Sequence, residues 1–251
     1  MHKNNYFKTL CVAVAFVAAG FCAQAQQVEI SGYVNGLLPT GNFNDGVNLT
    51  QEYTGLFRPM DRSNIGTGAT AGIGVSARAG LWLDIGFGEL MPYAEASFYW
   101  NSVKSSIRDQ YESHPYGDVV PRVPTYFNVP ILLGIKYRYD ISEIIRPFAE
   151  FGLGYDFMMI TSNGYKGKGP WYTYKPNGAF AWTLGAGTYL GSHVSVGLYY
   201  VSLGTHRMNY GSKTNLLLYS GATGVGVDDE NSSTVVKKRI AELALRIGFH
   251  F

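Results

Sequence analysis

Beyond its first 25 residues the chain contains no cysteine, since Cys11 and Cys22 are the two it has. A mature protein that begins after them has no disulfide and no thiolate-held metal. Long apolar runs are missing as well. No stretch after residue 25 reaches 18 consecutive apolar residues, which excludes a spanning helix there, because crossing takes about 20. Charge of one sign is also scarce. Setting aside Lys3 and Lys8 leaves 18 basic and 18 acidic residues, and nucleic-acid binding would call for a concentrated basic face. The histidines His114, His193, His206 and His250 are scattered, whereas metal sites want clustered ligands. The sequence therefore points to no metal and no cofactor.

The first 25 residues are a different kind of segment. Lys3 and Lys8 precede an apolar stretch from Leu10 to Phe21, and Ala23-Gln24-Ala25 fits the small-x-small pattern of signal cleavage. Cleavage after Ala25 is expected, leaving 26–251 as one domain. Lipid attachment at Cys22 is disfavoured because Phe21 stands where a small residue is wanted.

What the mature chain has in quantity is alternation. At its end, Leu243, Leu245, Ile247, Phe249 and Phe251 are apolar, and Glu242, Ala244, Arg246, Gly248 and His250 between them are small or polar. This is a strand with one greasy face and one wet one. Eight such stretches are expected: Val28 to Leu38, Thr67 to Leu83, Met91 to Asn101, Thr125 to Tyr139, Pro147 to Thr161, Gly178 to Leu190, Val194 to Leu203 and Val235 to Phe251. Each is long enough to cross a bilayer at a tilt, which takes about 9 to 11 residues. Asn215 to Tyr219 leaves a ten-stranded count open. The connections after even strands are short and those after odd strands long and polar, near Pro39 to Gly66, Ser102 to Pro124, Ser162 to Asn177 and Gly204 to Thr234. Short periplasmic turns and long outer loops have this asymmetry. The expected fold is all-β, a transmembrane antiparallel up-and-down β-barrel of eight strands.

The run Asn128-Val129-Pro130-Ile131-Leu132-Leu133-Gly134-Ile135-Lys136-Tyr137, with Arg146-Pro147-Phe148-Ala149-Glu150-Phe151-Gly152-Leu153-Gly154-Tyr155 behind it, resembles the small outer-membrane β-barrel family. That family includes relatives of the membrane domains of outer-membrane protein A and outer-membrane protein X. The resemblance implies a cell outer membrane of a Gram-negative bacterium, contact with its lipid and lipopolysaccharide, and insertion by the barrel-assembly machinery with Phe249 and Phe251 as the signal. Such barrels serve as adhesins, secretion parts, small pores or lipid-modifying enzymes, so fold does not settle function.

Several constellations are candidates for chemistry. Inward parity gathers Glu29, Arg78, Glu95, Lys136, Arg138, Glu150, Asp156, Glu242 and Arg246, a nearly balanced network expected to plug a lumen only wide enough for side chains. The short turns place Lys136 opposite Glu150 and Arg78 near Glu95, and Arg246 is placed near Glu29 or Asp156 if register permits. Ser202 and His206 resemble a nucleophile and base, but i and i+4 on a strand stand about 13 Å apart. His206 is therefore read as a rim residue facing headgroups or water. Gly68, Gly72, Gly74 and Gly80 share the inward parity and make room for larger side chains, or else for a ligand-sized cavity. The glycine clusters from Gly164 and from Gly221 lack the following helix that a phosphate loop needs. Trp100, Tyr137, Tyr139, Phe249 and Phe251 face outward where rings sit at headgroup level. Trp171, Tyr172 and Tyr174 crowd beside Lys166, Lys168 and Lys175, a loop suited to recognising sugar, lipopolysaccharide or a protein. The reading that follows is a non-enzymatic structural or surface-interaction barrel. A small channel for hydrophobic or small polar solutes is second and a lipid-modifying enzyme third.

Overall fold

The computed structural model describes residues 27–45, 67–112, 120, 122–164, 166, 171–213 and 234–251. The expected signal segment, His114, the Gly221 cluster and the stretch Asn215 to Tyr219 lie outside them. Eight long strands form the body: β1 (Gln27–Pro39), β2 (Ala69–Asp84), β3 (Glu89–Val103), β4 (Tyr126–Arg138), β5 (Ile145–Ile160), β8 (Asn177–Leu190), β9 (Val194–Lys213) and β10 (Thr234–His250). Each pairs antiparallel with the next, and β10 pairs back onto β1, so the sheet closes. Closure leaves none of these eight strands with a free edge along its paired length. No helix among the described residues is long and apolar enough to cross a membrane.

Alternation along each strand becomes inside and outside. In β4, Ile131, Leu133 and Ile135 stand exposed while Asn128, Leu132, Lys136 and Arg138 are buried; in β5, Phe151, Leu153, Tyr155 and Phe157 are exposed opposite buried Glu150 and Asp156. The outer surface is thus apolar and the lumen polar, inverting the arrangement of a soluble protein. Phe249 is outward and paired with Gly32, and the Phe251 amide donates to the Ile30 carbonyl at 2.9 Å.

One end of the barrel carries tight turns at 85–88, 139–144 and 191–193, and the other carries the long connections. All four of those connections contain structure that alternation does not announce, the first a single 3-10 turn at Gly41–Phe43. Ser105–Glu112 is a helix, α1, and Ile107 on it is buried among the core residues. Asn163–Gly164 (β6) and Trp171–Tyr174 (β7) form a short hairpin, and β7 pairs with Gly211, Ser212 and their neighbours on β9. Strand β9 itself continues ten residues beyond Leu203, to Lys213, where a loop was expected.

A bulge interrupts β9. Ile240 pairs with Gly204 and Ala241 with Ser202, so Leu203 is the extra residue. Gly204 has φ +89°, a conformation that costs glycine little and other residues much. Below the bulge the inward residues are odd-numbered, Ser195 to Val201; above it His206 is inward.

Candidate functional site

The lumen holds three layers between the turn end and the loop end. In the first, Glu29 accepts hydrogen bonds from Trp82 Nε1 at 2.9 Å, Ser31 Oγ at 2.8 Å and Tyr189 Oη at 3.2 Å. His250 Nδ1 lies 2.9 Å from Glu29 Oε1 and its Nε2 lies 2.7 Å from Ser195 Oγ. Serine, imidazole and carboxylate therefore stand in a line, the order that activates a nucleophile in hydrolases. All three are buried. Arg138 pairs with Glu89 at this end and stacks over Trp82, 4.0 Å from the ring centre.

The second layer is ionic. Arg78 reaches Glu95 with Nε and Nη2 at 2.9 and 2.5 Å and Glu150 with Nη1 and Nη2 at 2.8 and 2.6 Å. Lys136 Nζ is 3.2 Å from Glu150 Oε2, as their opposite positions on β4 and β5 require. Arg246 donates to Glu95 at 2.9 Å and to Asn35 Oδ1 at 2.7 Å. It reaches neither Glu29 nor Asp156, because β10 meets β1 in a register that sets Arg246 beside Asn35 and points it across the lumen at β3. Tyrosine rings fill the space between these charges: Arg78 lies over Tyr93 at 3.9 Å and Arg246 over Tyr199 at 4.3 Å, each an attractive arrangement of cation and ring. The small residues make this packing fit. A methyl added at Gly80 would press on Met91, at Gly74 on the Tyr99 ring, and at Gly248 on Tyr33. Inward glycines of β2 thus accommodate neighbouring side chains; Gly68, with φ +63°, precedes the strand and abuts Ile107.

The third layer, toward the loop end, is polar but differently composed. Asn101, Asn128, Asp156, Glu242 and His206 are all fully buried. His206 is thus a lumen residue, not the rim residue expected just past a strand ending at Leu203: β9 continues through it, and the bulge at Leu203 turns it inward. Its Nδ1 is 2.7 Å from Asn177 Oδ1 and its Nε2 donates to the Leu203 carbonyl at 2.9 Å. Asp156 Oδ2 lies 3.1 Å from the same Nε2, but that N–H is directed at Leu203. Both oxygens of Asp156 and of Glu242, both polar atoms of the Asn128 amide, and Oδ1 of Asn101 have no hydrogen-bond partner among the described residues. Above them Phe43, Val103, Ile107, Tyr126, Leu203 and Ile240 form an apolar roof. No group of three or more histidine, cysteine, aspartate or glutamate side chains that could hold a metal occurs among the described residues.

At the loop end, Trp171, Tyr172 and Tyr174 are brought onto one short strand against β9. Tyr174 is half-buried and Lys166 and Lys175 are exposed; Lys168 lies outside the described residues. Trp100, Tyr139, Phe249 and Phe251 are exposed on the outer face, while Tyr137 donates its hydroxyl to the Phe87 carbonyl at 2.7 Å. Sequence reasoning missed the Ser195–His250–Glu29 line, although the parity of each strand was available. What joins the three residues is barrel closure, which sets β10 between β1 and β9.

No family model matches the sequence, and no curated protein matches it. Among solved structures, a major outer membrane protein from Thermus thermophilus shares 11% identity and covers 90% of this chain and 100% of its own, with a TM-score of 0.45. The outer membrane protein OprG from Pseudomonas aeruginosa shares 12% over 91% of this chain and 97% of its own, with a TM-score of 0.44. The outer membrane protease OmpT from Escherichia coli shares 12% over 90% and 97%, with a TM-score of 0.39. The eight-stranded closed barrel stands on its own strand pairing.

Proposed function

We propose that this chain is an outer-membrane barrel of a Gram-negative cell, delivered through a signal peptide cleaved after Ala25. Its lumen is closed, and it acts without catalysis, as a structural or surface-interaction protein, through its loop end. The observation that carries this reading is the combination of an exposed apolar outer face with a lumen crossed by the buried pairs among Arg78, Glu95, Glu150, Lys136 and Arg246. An apolar outside suits lipid, and a bonded ionic layer with tyrosines packed into it suits a plug better than a water path. Lipopolysaccharide and lipid at the outer rim and the barrel-assembly machinery are the partners this implies. The aromatic strand β7 beside Lys166 and Lys175 is the surface best suited to recognition.

Two measurements test this. Refolded protein in planar bilayers should give no stepwise conductance; discrete channels would overturn the closed lumen and favour passage of small solutes. Replacing Trp171, Tyr172 and Tyr174 together by alanine should leave the heat-modifiable gel shift intact and weaken binding of whole cells to their surface ligand. Equal binding by the folded variant removes this strand from the role.

One observation favours a second reading, a hydrolase at the turn end: the hydrogen-bonded line Ser195–His250–Glu29. Burial of Ser195 argues for a structural bond instead, since a nucleophile needs room for its substrate. Labelling by a fluorophosphonate that Ser195→Ala abolishes would establish the hydrolase.

A further inference from the structure

The third lumen layer differs from the second in one physical respect. In the second, every carboxylate is answered by arginine or lysine. Asp156 and Glu242 in the third are just as buried, yet no arginine or lysine among the described residues meets either; the His206 imidazole stands 3.1 Å from Asp156 and the Asn101 amide beside Glu242. His206 Nε2, 3.1 Å from Asp156 Oδ2, also lies 2.9 Å from the Leu203 carbonyl, so its contact with the carboxylate is shared.

Beside these carboxylates stand two amides with unanswered oxygens. Asn101, Asn128 and Asp156 lie on the adjacent strands β3, β4 and β5, with Asn128 two residues along from the partner of Asn101 and two from the partner of Asp156. Glu242 projects from β10, and the Asn101 amide and the Asp156 carboxylate are the polar groups that act on it. Asn101 uses its Nδ2 on the Thr70 carbonyl at 3.3 Å, which leaves Oδ1 free to turn to a ligand. Asn128 is 0% exposed and makes no side-chain hydrogen bond at either atom among the described residues. A fully buried amide without a side-chain partner, beside two buried carboxylates that no arginine or lysine balances, is a costly arrangement unless something else meets it.

We propose that Asp156, Glu242, Asn101 and Asn128 form a binding site for a hard cation in the loop-end half of the lumen. The donor set is oxygen only, two anionic and two neutral, which suits calcium; magnesium would keep most of its own water. The roof of Phe43, Ile107 and Tyr126 closes over the layer and the ionic layer closes beneath it. The cation is therefore taken up as the barrel folds and held by it, coupling binding to stability.

The test uses the full mature chain refolded into detergent micelles free of lipopolysaccharide, with the metal alone as probe. Calcium chloride should raise the unfolding temperature saturably, above potassium chloride at equal ionic strength, and EGTA should reverse the rise. Terbium should bind in the same site and give tyrosine-sensitised luminescence, since Tyr99 and Tyr126 flank it. Glu242→Gln should weaken calcium binding about tenfold or more, and the same change at the ionic layer, Glu95→Gln, should leave the calcium affinity of whatever fraction folds unchanged. If calcium, magnesium and potassium act alike on the wild-type barrel, or if Glu242→Gln binds calcium as the wild type does, the site does not exist. A wild type that gains nothing from calcium while Glu242→Gln is more stable than it would show that a protonated carboxyl occupies the layer, which also overturns the proposal.

Discussion

At the residue scale, the lumen is governed by the cost of taking charge out of water. Removing one partner of a buried pair leaves the other uncompensated, at about 3–5 kcal/mol. Glu150 is the residue on which this falls most heavily, because Arg78 holds it with two hydrogen bonds and Lys136 adds a third contact. Glu150→Ala should therefore destabilise the barrel by about that amount in urea unfolding. The double-mutant cycle of Arg78 with Glu150 should show a coupling in the range of about 0.5–3 kcal/mol, larger than that of Lys136 with Glu150. Additive losses in both cycles would mean that the charges act independently. Parity and short turns make part of this network legible in the sequence. Lys136 meets Glu150, and Arg78 meets Glu95, because each pair spans a turn of a few residues that fixes the register. Arg78 with Glu150 and Arg246 with Glu95 are contacts across the lumen, set by the stagger of a closed sheet, and no local pattern encodes that.

At the element scale, β9 shows how one extra residue redirects a strand. Side chains alternate with a period of two, so a single inserted residue exchanges the faces beyond it. Leu203 does this, and His206 is turned into the lumen as a result. A reading that ends the strand at Leu203 places His206 at the rim instead. Gly204 is the signal that was available, a glycine inside a strand that marks a bulge. The continuation of β9 to Lys213 and its pairing with β7 were hidden for a different reason. Polar, glycine-containing sequence at a loop end pairs through its backbone and needs no apolar face. Gly204→Ala should cost about 1–3 kcal/mol, since φ +89° is strained for alanine and its methyl would meet the Phe180 carbonyl. Gly32→Ala, where nothing lies within 4 Å of the added methyl, is the matched control and should stay within about 0.5 kcal/mol. Thermal unfolding of the two variants decides it; equal shifts would show that the bulge is not held by this glycine.

For the whole molecule, the decisive property is that the core is polar and the surface apolar. Leu133 is 67% exposed at the middle of β4, between Ile131 at 51% and Ile135 at 52%. In water such a belt would be an aggregation surface far larger than a soluble monomer carries. In lipid it is the favourable face, and the closed ladder meets the demand that every backbone group be bonded internally. The two solvents predict opposite behaviour for one substitution. Leu133→Arg should cost about 2–4 kcal/mol in a bilayer, because arginine at the midplane loses its water. Phe87→Arg, in the turn and 70% exposed, should cost about 0–1 kcal/mol near the interface. Urea unfolding of both variants in phosphatidylcholine vesicles measures the difference. Equal small costs would mean that Leu133 faces water, and the membrane reading of the belt would fall with it.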